Sequence, residues 1–395
     1  MEVVMIGVFI LSAFFIVYHY AGYPVILRWW ANRHPIITSG AIPRGYRCVR
    51  RDRVLPTVTI IIPAYNEEQW IADKVRNCAS LDYPRDKLKI VIIDDGSEDS
   101  TLNIAESTIQ EAICADTHFE IINQQDNTGK VAILNRYIPK VDSDITCISD
   151  VSAIISVDAL LIASEFFKDQ NIGVVNSTYQ LLHAGQTGES DYWQYQNNIK
   201  YRESTMGSTI GAHGALYFIR TPLFELLPDN TINDDFIIPM RIVRHHYQAA
   251  YAPNMNAIEQ EPTESVQDFR RRLRISAGNM QQVIMLFDLF SPQYGRTAFT
   301  FFSGKGLRLF TPYLMIACLL SSLWLAQTNT IFLVLLYSQV AVYIFAATAS
   351  YFPQLQKLRL IRLITYLIVG HTANLIGGLR YLFGLENGKW QRLAR

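Results

Sequence analysis

Charge is scarce in this chain. Asp, Glu, Lys and Arg make up 18% of its 395 residues, against about a quarter in an ordinary soluble domain. The deficit lies at the two ends, while the middle has the composition of soluble sequence. The charges that are present cancel, 35 basic against 35 acidic. No bulk positive field exists to gather nucleic acid, so no nucleic-acid partner is expected. Cysteine is sparse and unpatterned. Cys48, Cys78, Cys114, Cys147 and Cys318 form no CxxC pair and no finger spacing, which points to reduced, structural thiols in a cytosolic domain. The first apolar run has no basic stretch before it, only Glu2, and no small-residue cleavage site after it. It is expected to be retained as an anchor rather than removed as a secretory signal. Internal repeats and low-complexity tracts are also missing.

Long apolar runs are abundant. Residues 5–27 can cross a bilayer as a helix. Tyr18, Tyr20, Tyr23, Trp29 and Trp30 crowd the far end, followed by Arg28, Arg33 and Arg44. An aromatic belt and then positive charge places the next segment on the cytoplasmic side of an inner membrane. Residues 309–326 and 331–350 carry no charge, and 363–379, flanked by Arg362 and Arg380, form a weaker third span. The expected organisation is a transmembrane helix over 1–30, a linker over 31–55 and a cytoplasmic catalytic domain over 56–265. Basic and amphipathic interface helices follow over 266–308, with Met280, Val283, Ile284 and Phe287 toward the membrane. Two or three spans over 309–385 and a tail over 386–395 complete the chain.

The middle alternates strand-like and helix-like segments. Strands are expected near 57–63, 87–93, 118–123 and 145–149, with helices near 67–80, 99–114 and 130–137. That alternation predicts an α/β fold with a mostly parallel sheet, which binds ligands beyond the carboxyl ends of its strands. Polar motifs fall at those ends: Pro63-Ala64-Tyr65-Asn66-Glu67-Glu68, Asp94-Asp95-Gly96-Ser97 and Ser149-Asp150-Val151-Ser152. Asp126-Asn127-Thr128-Gly129-Lys130, Asn233-Asp234-Asp235 and Arg270-Arg271-Arg272-Leu273-Arg274 complete the set. Several carboxylates cannot gather unpaired. A bound Mg²⁺ or Mn²⁺ with oxygen ligands relieves the repulsion, and with Lys130 and the arginines such a site can hold a diphosphate and assist its departure. Each motif alone is weak: Asp-Asp-Gly is a common turn, and a four-arginine helix is more often a solvated face. The ordered set carries the argument. His245 and His246, beside Arg241 and Arg244, read as surface charge. His371 and Asn374 read equally as a membrane-embedded functional site or as hydrogen bonds between helices. Gly377-Gly378 reads as close helix packing, and Trp390 as an interfacial anchor.

This ordered set resembles the membrane-bound family 2 glycosyltransferases with the GT-A fold, of the bacterial polysaccharide type related to cellulose and hyaluronan synthases, over roughly the whole chain. The resemblance implies that Pro63, Ala64, Tyr65, Asn66, Glu67, Asp94 and Asp95 surround the nucleotide and that Lys130 lines the donor pocket. It implies that Asp150 holds the metal, with Asp234 beside a catalytic base at Asp235. Residues 211–217 correspond to the acceptor loop, and Arg271 and Arg274 to a Gln-x-x-Arg-Trp motif that binds substrate. Two positions depart from the pattern. Ser152 replaces the second Asp of Asp-x-Asp, leaving His213 or Asp234 as further metal ligands. Arg271 and Ile275 stand where Gln and Trp are expected, and the lost Trp argues for addition of a single sugar. The expected partners are a UDP-linked sugar donor, a polyprenyl-linked or glycan acceptor, the bilayer, and an oligomer or export partner. A processive synthase with coupled export and a non-catalytic scaffold of an export complex are the alternatives.

Overall fold

The computed structural model describes residues 1–36, 42–183, 189–261, 265–352, 355 and 358–385. The side chains of 189–191, 265–270, 351 and 359–360, and with them Arg270, are outside that description, as are Trp390 and the tail from 386. The chain divides into two compact units. One is Trp30–Glu264, and the other joins Met1–Trp29 to Ser265–Asn387.

The Trp30–Glu264 unit is built on an eight-stranded sheet in the order β3-β2-β1-β4-β7-β6-β8-β5. The strands are β1 (Val58–Ala64), β2 (Leu88–Asp94), β3 (His118–Asn123), β4 (Ile145–Ser149), β5 (Ala153–Ile155), β6 (Ile172–Leu181), β7 (Leu216–Arg220) and β8 (Gln248–Glu259). β1 pairs in parallel with β2 and β4, and β2 with β3. Helices Ile71–Ala79, Thr101–Thr108 and Lys130–Tyr137 lie between these strands in sequence. Strands buried on both faces are near-continuous apolar runs, and Ile60, Ile61 and Ile62 of β1 are fully buried. The other half is mixed: β4–β7, β6–β7 and β5–β8 are antiparallel, and β6–β8 is parallel. β2 ends at Asp94 and β4 at Ser149, just before Asp150, with β1 between the two strands.

Part of the expected linker is folded. Arg44, read from sequence as a positive flank of the first apolar run, is buried at 8% exposure. Its guanidinium donates to Asp52 Oδ1 at 2.9 Å and to Asp82 Oδ1 at 3.1 Å. Two carboxylates bind it into the domain, so it does not serve as interfacial charge.

Among the described residues three helices are long and apolar enough to cross a membrane: Glu2–Arg33, Arg296–Leu325 and Thr330–Ser350. The expected boundary at 308/309 therefore falls inside a helix. Lys305 and Arg308 interrupt the charge-free run but not the backbone, and Lys305 Nζ donates to Asn279 Oδ1 at 2.7 Å. The first two helices run antiparallel: Tyr18 meets Ser303 (2.9 Å), and Cys318 Sγ meets the Phe9 carbonyl (3.8 Å). The basic and amphipathic segments form one helix, Ser265–Met285. Its Met280 and Val283 are buried against Leu309, while its Ile284, and Phe287 just beyond its end, are exposed. The weaker third span lies in the helix Arg359–Leu382, which packs on Ser265–Met285. A Cβ at Gly377 would stand 2.5 Å from the Leu273 carbonyl oxygen, so glycine is what permits this approach.

Asn374 has a structural role. Pro312 lies inside the Leu307–Leu325 helix and cannot donate to the carbonyl four residues back. Asn374 Nδ2 donates to that carbonyl, Arg308 O, at 3.0 Å. Asn374→Leu removes this hydrogen bond, and the expected loss is about 0.5–1.5 kcal/mol of stability. Denaturation in detergent should show a lowered midpoint, and an unchanged midpoint would contradict this role.

Candidate active site

The first two motifs are laced together at the ends of β1 and β2. Asn66, in the left-handed region at φ 54°, donates its N–H to Ser97 Oγ (2.9 Å), and its Oδ1 accepts from Glu98 N (2.9 Å). Glu67 N donates to Thr101 Oγ1 at 2.7 Å. Asp95 ties this pair to the third motif. Its Oδ1 accepts from Thr128 N and Oγ1, both at 2.9 Å, and its Oδ2 from Gly129 N at 2.7 Å. Gly96 sits at φ 72°, where a Cβ would stand 3.0 Å from the Asp126 backbone. Asp94 is different. Its Oδ2 accepts from Ser97 N at 3.2 Å, while its Oδ1 is buried with no hydrogen-bond partner among the described residues.

A second cluster forms where β4 ends. Lys130, opening the Lys130–Tyr137 helix, places Nζ 2.8 Å from Asp150 Oδ1 and 3.5 Å from Asp234 Oδ2. Asp234 and Asp235 occupy the first turn of the Asp234–Arg244 helix. Gly214 lets the backbone enter between these charges. A Cβ there would meet Asp150 Oδ2 at 3.1 Å, Lys130 Nζ at 3.6 Å and Asp235 Oδ2 at 3.7 Å. Its own N–H donates to Asp235 Oδ2 at 3.1 Å. Residues 130, 150, 214, 234 and 235 thus meet in one place.

The electrostatics follow from burial and proximity. Burial and the neighbouring Asp234 raise the Asp235 carboxyl to about 6, with Lys130 opposing them. For Lys130, burial works against the charged form, but Asp150, Asp234 and Asp235 outweigh it and hold the ammonium well above its usual range.

The family model described as "Glycosyltransferase like family 2" matches residues 56–278, more than half of the chain. The chain belongs to glycosyltransferase family 2. Among family 2 relatives, a beta-monoglucosyldiacylglycerol synthase from Trichormus variabilis is 26% identical over 272 residues, covering 65% of this chain and 56% of the relative. A poly-beta-1,6-N-acetyl-D-glucosamine synthase from Staphylococcus aureus is 24% identical over 246 residues, covering 60% and 57%. The chain spans little more than half the length of these two relatives. Among solved structures, a mannosyltransferase from Pyrobaculum calidifontis, in complex with GDP-Man and Mn²⁺, superposes with a TM-score of 0.69 at 21% identity. The superposition covers 96% of this chain and all of that one, and it shows the GT-A-like fold expected from the sequence.

Within this family 2 fold the expected site residues divide. Pro63–Glu67, Asp94, Asp95, Lys130, Asp150, Asp234 and Asp235 all belong to the Trp30–Glu264 unit. Arg271 and Arg274 belong to the unit of apolar helices, on Ser265–Met285. His213 is engaged in packing: its ring stacks on Tyr179 at 3.7 Å and meets Trp193 edge-on at 4.9 Å, while Nδ1 accepts from Ala215 N. Ser152, where the second Asp is missing, hydrogen-bonds the partly buried Glu259 carboxylate, whose pKa is raised by desolvation. Glu259 and Lys200, which donates to the carbonyls of Ile210 (3.1 Å) and Gly211 (2.9 Å), were not found by motif. Each stands alone on a strand or helix with no spacing to mark it.

Among the described residues, no group of three His, Cys, Asp or Glu side chains is arranged to hold an ion. The partly exposed Asp150 carboxylate, at 39%, offers hard oxygen ligands. One carboxylate suits Mg²⁺ or Mn²⁺ that takes its other ligands from a diphosphate and water.

Proposed function

We propose that the protein is an inverting transferase that moves a sugar from a nucleotide-sugar donor to a hydroxyl of a lipid-linked or saccharide acceptor at the cytoplasmic face of the inner membrane. The observation that carries this reading is the convergence of Asp150, Asp234 and Asp235 on Lys130, with Asp235 held by the Gly214 N–H. Asp235 accepts the proton of the acceptor hydroxyl. That oxygen forms the new bond to the anomeric carbon. The bond from this carbon to the diphosphate breaks, and the nucleoside diphosphate departs with the electron pair. Asp94 Oδ1 is a buried acceptor suited to an N–H or O–H of the nucleotide. The Asn66–Glu67 and Asp95–Gly129 loops are braced around it, so the donor meets a preformed surface. Asp150 would hold the divalent ion, which neutralises diphosphate charge.

Addition of one sugar is favoured over processive synthesis because Ile275, 38% exposed, offers no aromatic face to a growing polymer. The diacylglycerol-directed relative fits this reading, and the poly-N-acetylglucosamine synthase fits the processive one. A defined primer separates them: one added sugar against a ladder.

Metal dependence is a direct test of the Asp150 role. EDTA should abolish transfer, and Mg²⁺ or Mn²⁺ should restore it. Full activity in chelator would contradict that role.

A further inference from the structure

We propose that Lys74 is a positioning residue for Asp150, holding from below the turn that presents this carboxylate to the donor; the proposal rests on the site reading above. β4 and β5 are consecutive in sequence but not neighbours in the sheet. β4 lies between β1 and β7, while β5 pairs with β8 at the far edge. Asp150, Val151 and Ser152 make that crossing, so the backbone bearing Asp150 leaves the ladder where its carboxylate must be aimed.

Lys74 fastens both ends of the crossing. It is on the Ile71–Ala79 helix and fully buried. Its Nζ donates to Ser149 Oγ at 2.7 Å and to the Ala153 carbonyl at 2.6 Å. Ser149 Oγ passes the connection on by donating to the Ala215 carbonyl at 2.6 Å. Ala215 follows Gly214, whose N–H holds Asp235. One buried amine therefore links the Asp150 turn to the segment that orients the base.

Simple packing does not account for a lysine here. A buried amine loses its hydration, and burial lowers its pKa; a methionine would fill similar volume without that cost. Asn77, one turn along the same helix, supplies the comparison. It bonds Ile155 N and O, each at 2.8 Å. It thus secures the same strand at a point further from Asp150.

The experiment compares Lys74→Met, Asn77→Ala and Asp150→Ala in the full chain in detergent. It measures the affinity of UDP and GDP, each with Mn²⁺, together with donor KM, kcat and the unfolding midpoint. Lys74→Met should weaken nucleotide–Mn²⁺ binding and raise donor KM by about tenfold or more, as misplacement of a binding group does. Asn77→Ala should lower the midpoint and leave both affinities within about twofold, below the cost of any lost site contact. In the Asp150→Ala background, Lys74→Met should add no further loss. Wild-type affinity in Lys74→Met overturns the proposal, as does an equal loss in Asn77→Ala or an undiminished loss without Asp150. If Lys74→Met does not fold, Lys74→Gln, which keeps a donor at shorter reach, carries the same comparison. If Asp150→Ala itself binds normally, the site reading fails and the role of Lys74 with it. If Asp150→Ala loses binding and Lys74→Met does not, only the Lys74 proposal fails.

Discussion

Asp235→Asn should lower kcat by about 10²–10⁴, the usual worth of a general base, and leave nucleotide-sugar affinity within a few-fold. Asparagine keeps the shape of the side chain and an oxygen to accept the Gly214 N–H, so the geometry survives and only the proton acceptor is lost. The pH profile sharpens the test. Burial, and then Asp234 beside it, raise Asp235 to about 6 against the pull of Lys130. A base must be ionised, so wild-type kcat should fall as pH drops through about 6. The residual activity of Asp235→Asn should lack that limb. Asp234 is the alternative base. Its Oδ2 is turned to Lys130 and buried, and adjacent residues in a helical turn point about 100° apart. The simpler reading is that Asp235 only favours the helix start; Asparagine would then be nearly silent. A folded, nucleotide-binding Asp235→Asn protein with near wild-type turnover contradicts the assignment.

Lys130→Met should produce the second large effect, on stability and on the pH limb together. The substitution leaves three carboxylates without the cation at their centre. Breaking a buried pair costs about 3–5 kcal/mol. Asp150 is 39% exposed, and solvent screening reduces its share, so a loss of roughly 2–3 kcal/mol at pH 7 is expected, between the buried and surface limits. The sign with pH is determined. Without the opposing pull of Lys130 the folded-state pKa of Asp235, already raised to about 6, rises further, so near neutrality the folded state binds more protons than the unfolded one. The variant's stability therefore falls as pH rises through that raised Asp235 value, and its deficit is smallest in acid. The kcat limb near 6 should move upward in parallel. Wild-type stability at pH 7 with an unmoved limb would contradict the central place given to Lys130.

The parallel half of the sheet is legible because doubly buried strands are unbroken apolar runs. β3 and the Lys130–Tyr137 helix have the bounds expected from sequence, and Asp94, Asp150, Asp234 and Asp235 lie at element ends as their spacing implied. The other half is obscured by its own chemistry. β8 carries Pro253, Asn254 and Asn256, and its register with β6 shifts where the ladder is irregular, so no alternating pattern marks either strand. Lys74 reads as an ordinary surface lysine until its place is noticed. It falls among Ile71, Val75 and Cys78 on the helix stripe that faces the core, and a charge inside such a stripe is the signal. Arg44 misleads in the opposite direction, since its partners Asp52 and Asp82 are distant enough in sequence to hide the pairing. Ser152 shows a missing carboxylate, but the nearby Glu259 comes from a strand more than a hundred residues away and is visible only in the fold.

The central claim is that this chain transfers sugar from a nucleotide donor with Asp235 as base. The most direct measurement incubates purified protein in detergent with Mn²⁺, a panel of labelled UDP- and GDP-sugars, and extracted membrane lipid or short glycans. Release of nucleoside diphosphate and the fraction that gains label are followed together. The account predicts that at least one donor yields diphosphate and labelled acceptor in equal amounts, and that Asp235→Asn, still binding that nucleotide, does so only at the residual rate. A folded protein that releases no diphosphate and labels no acceptor with any donor contradicts the account and leaves the non-catalytic scaffold in its place.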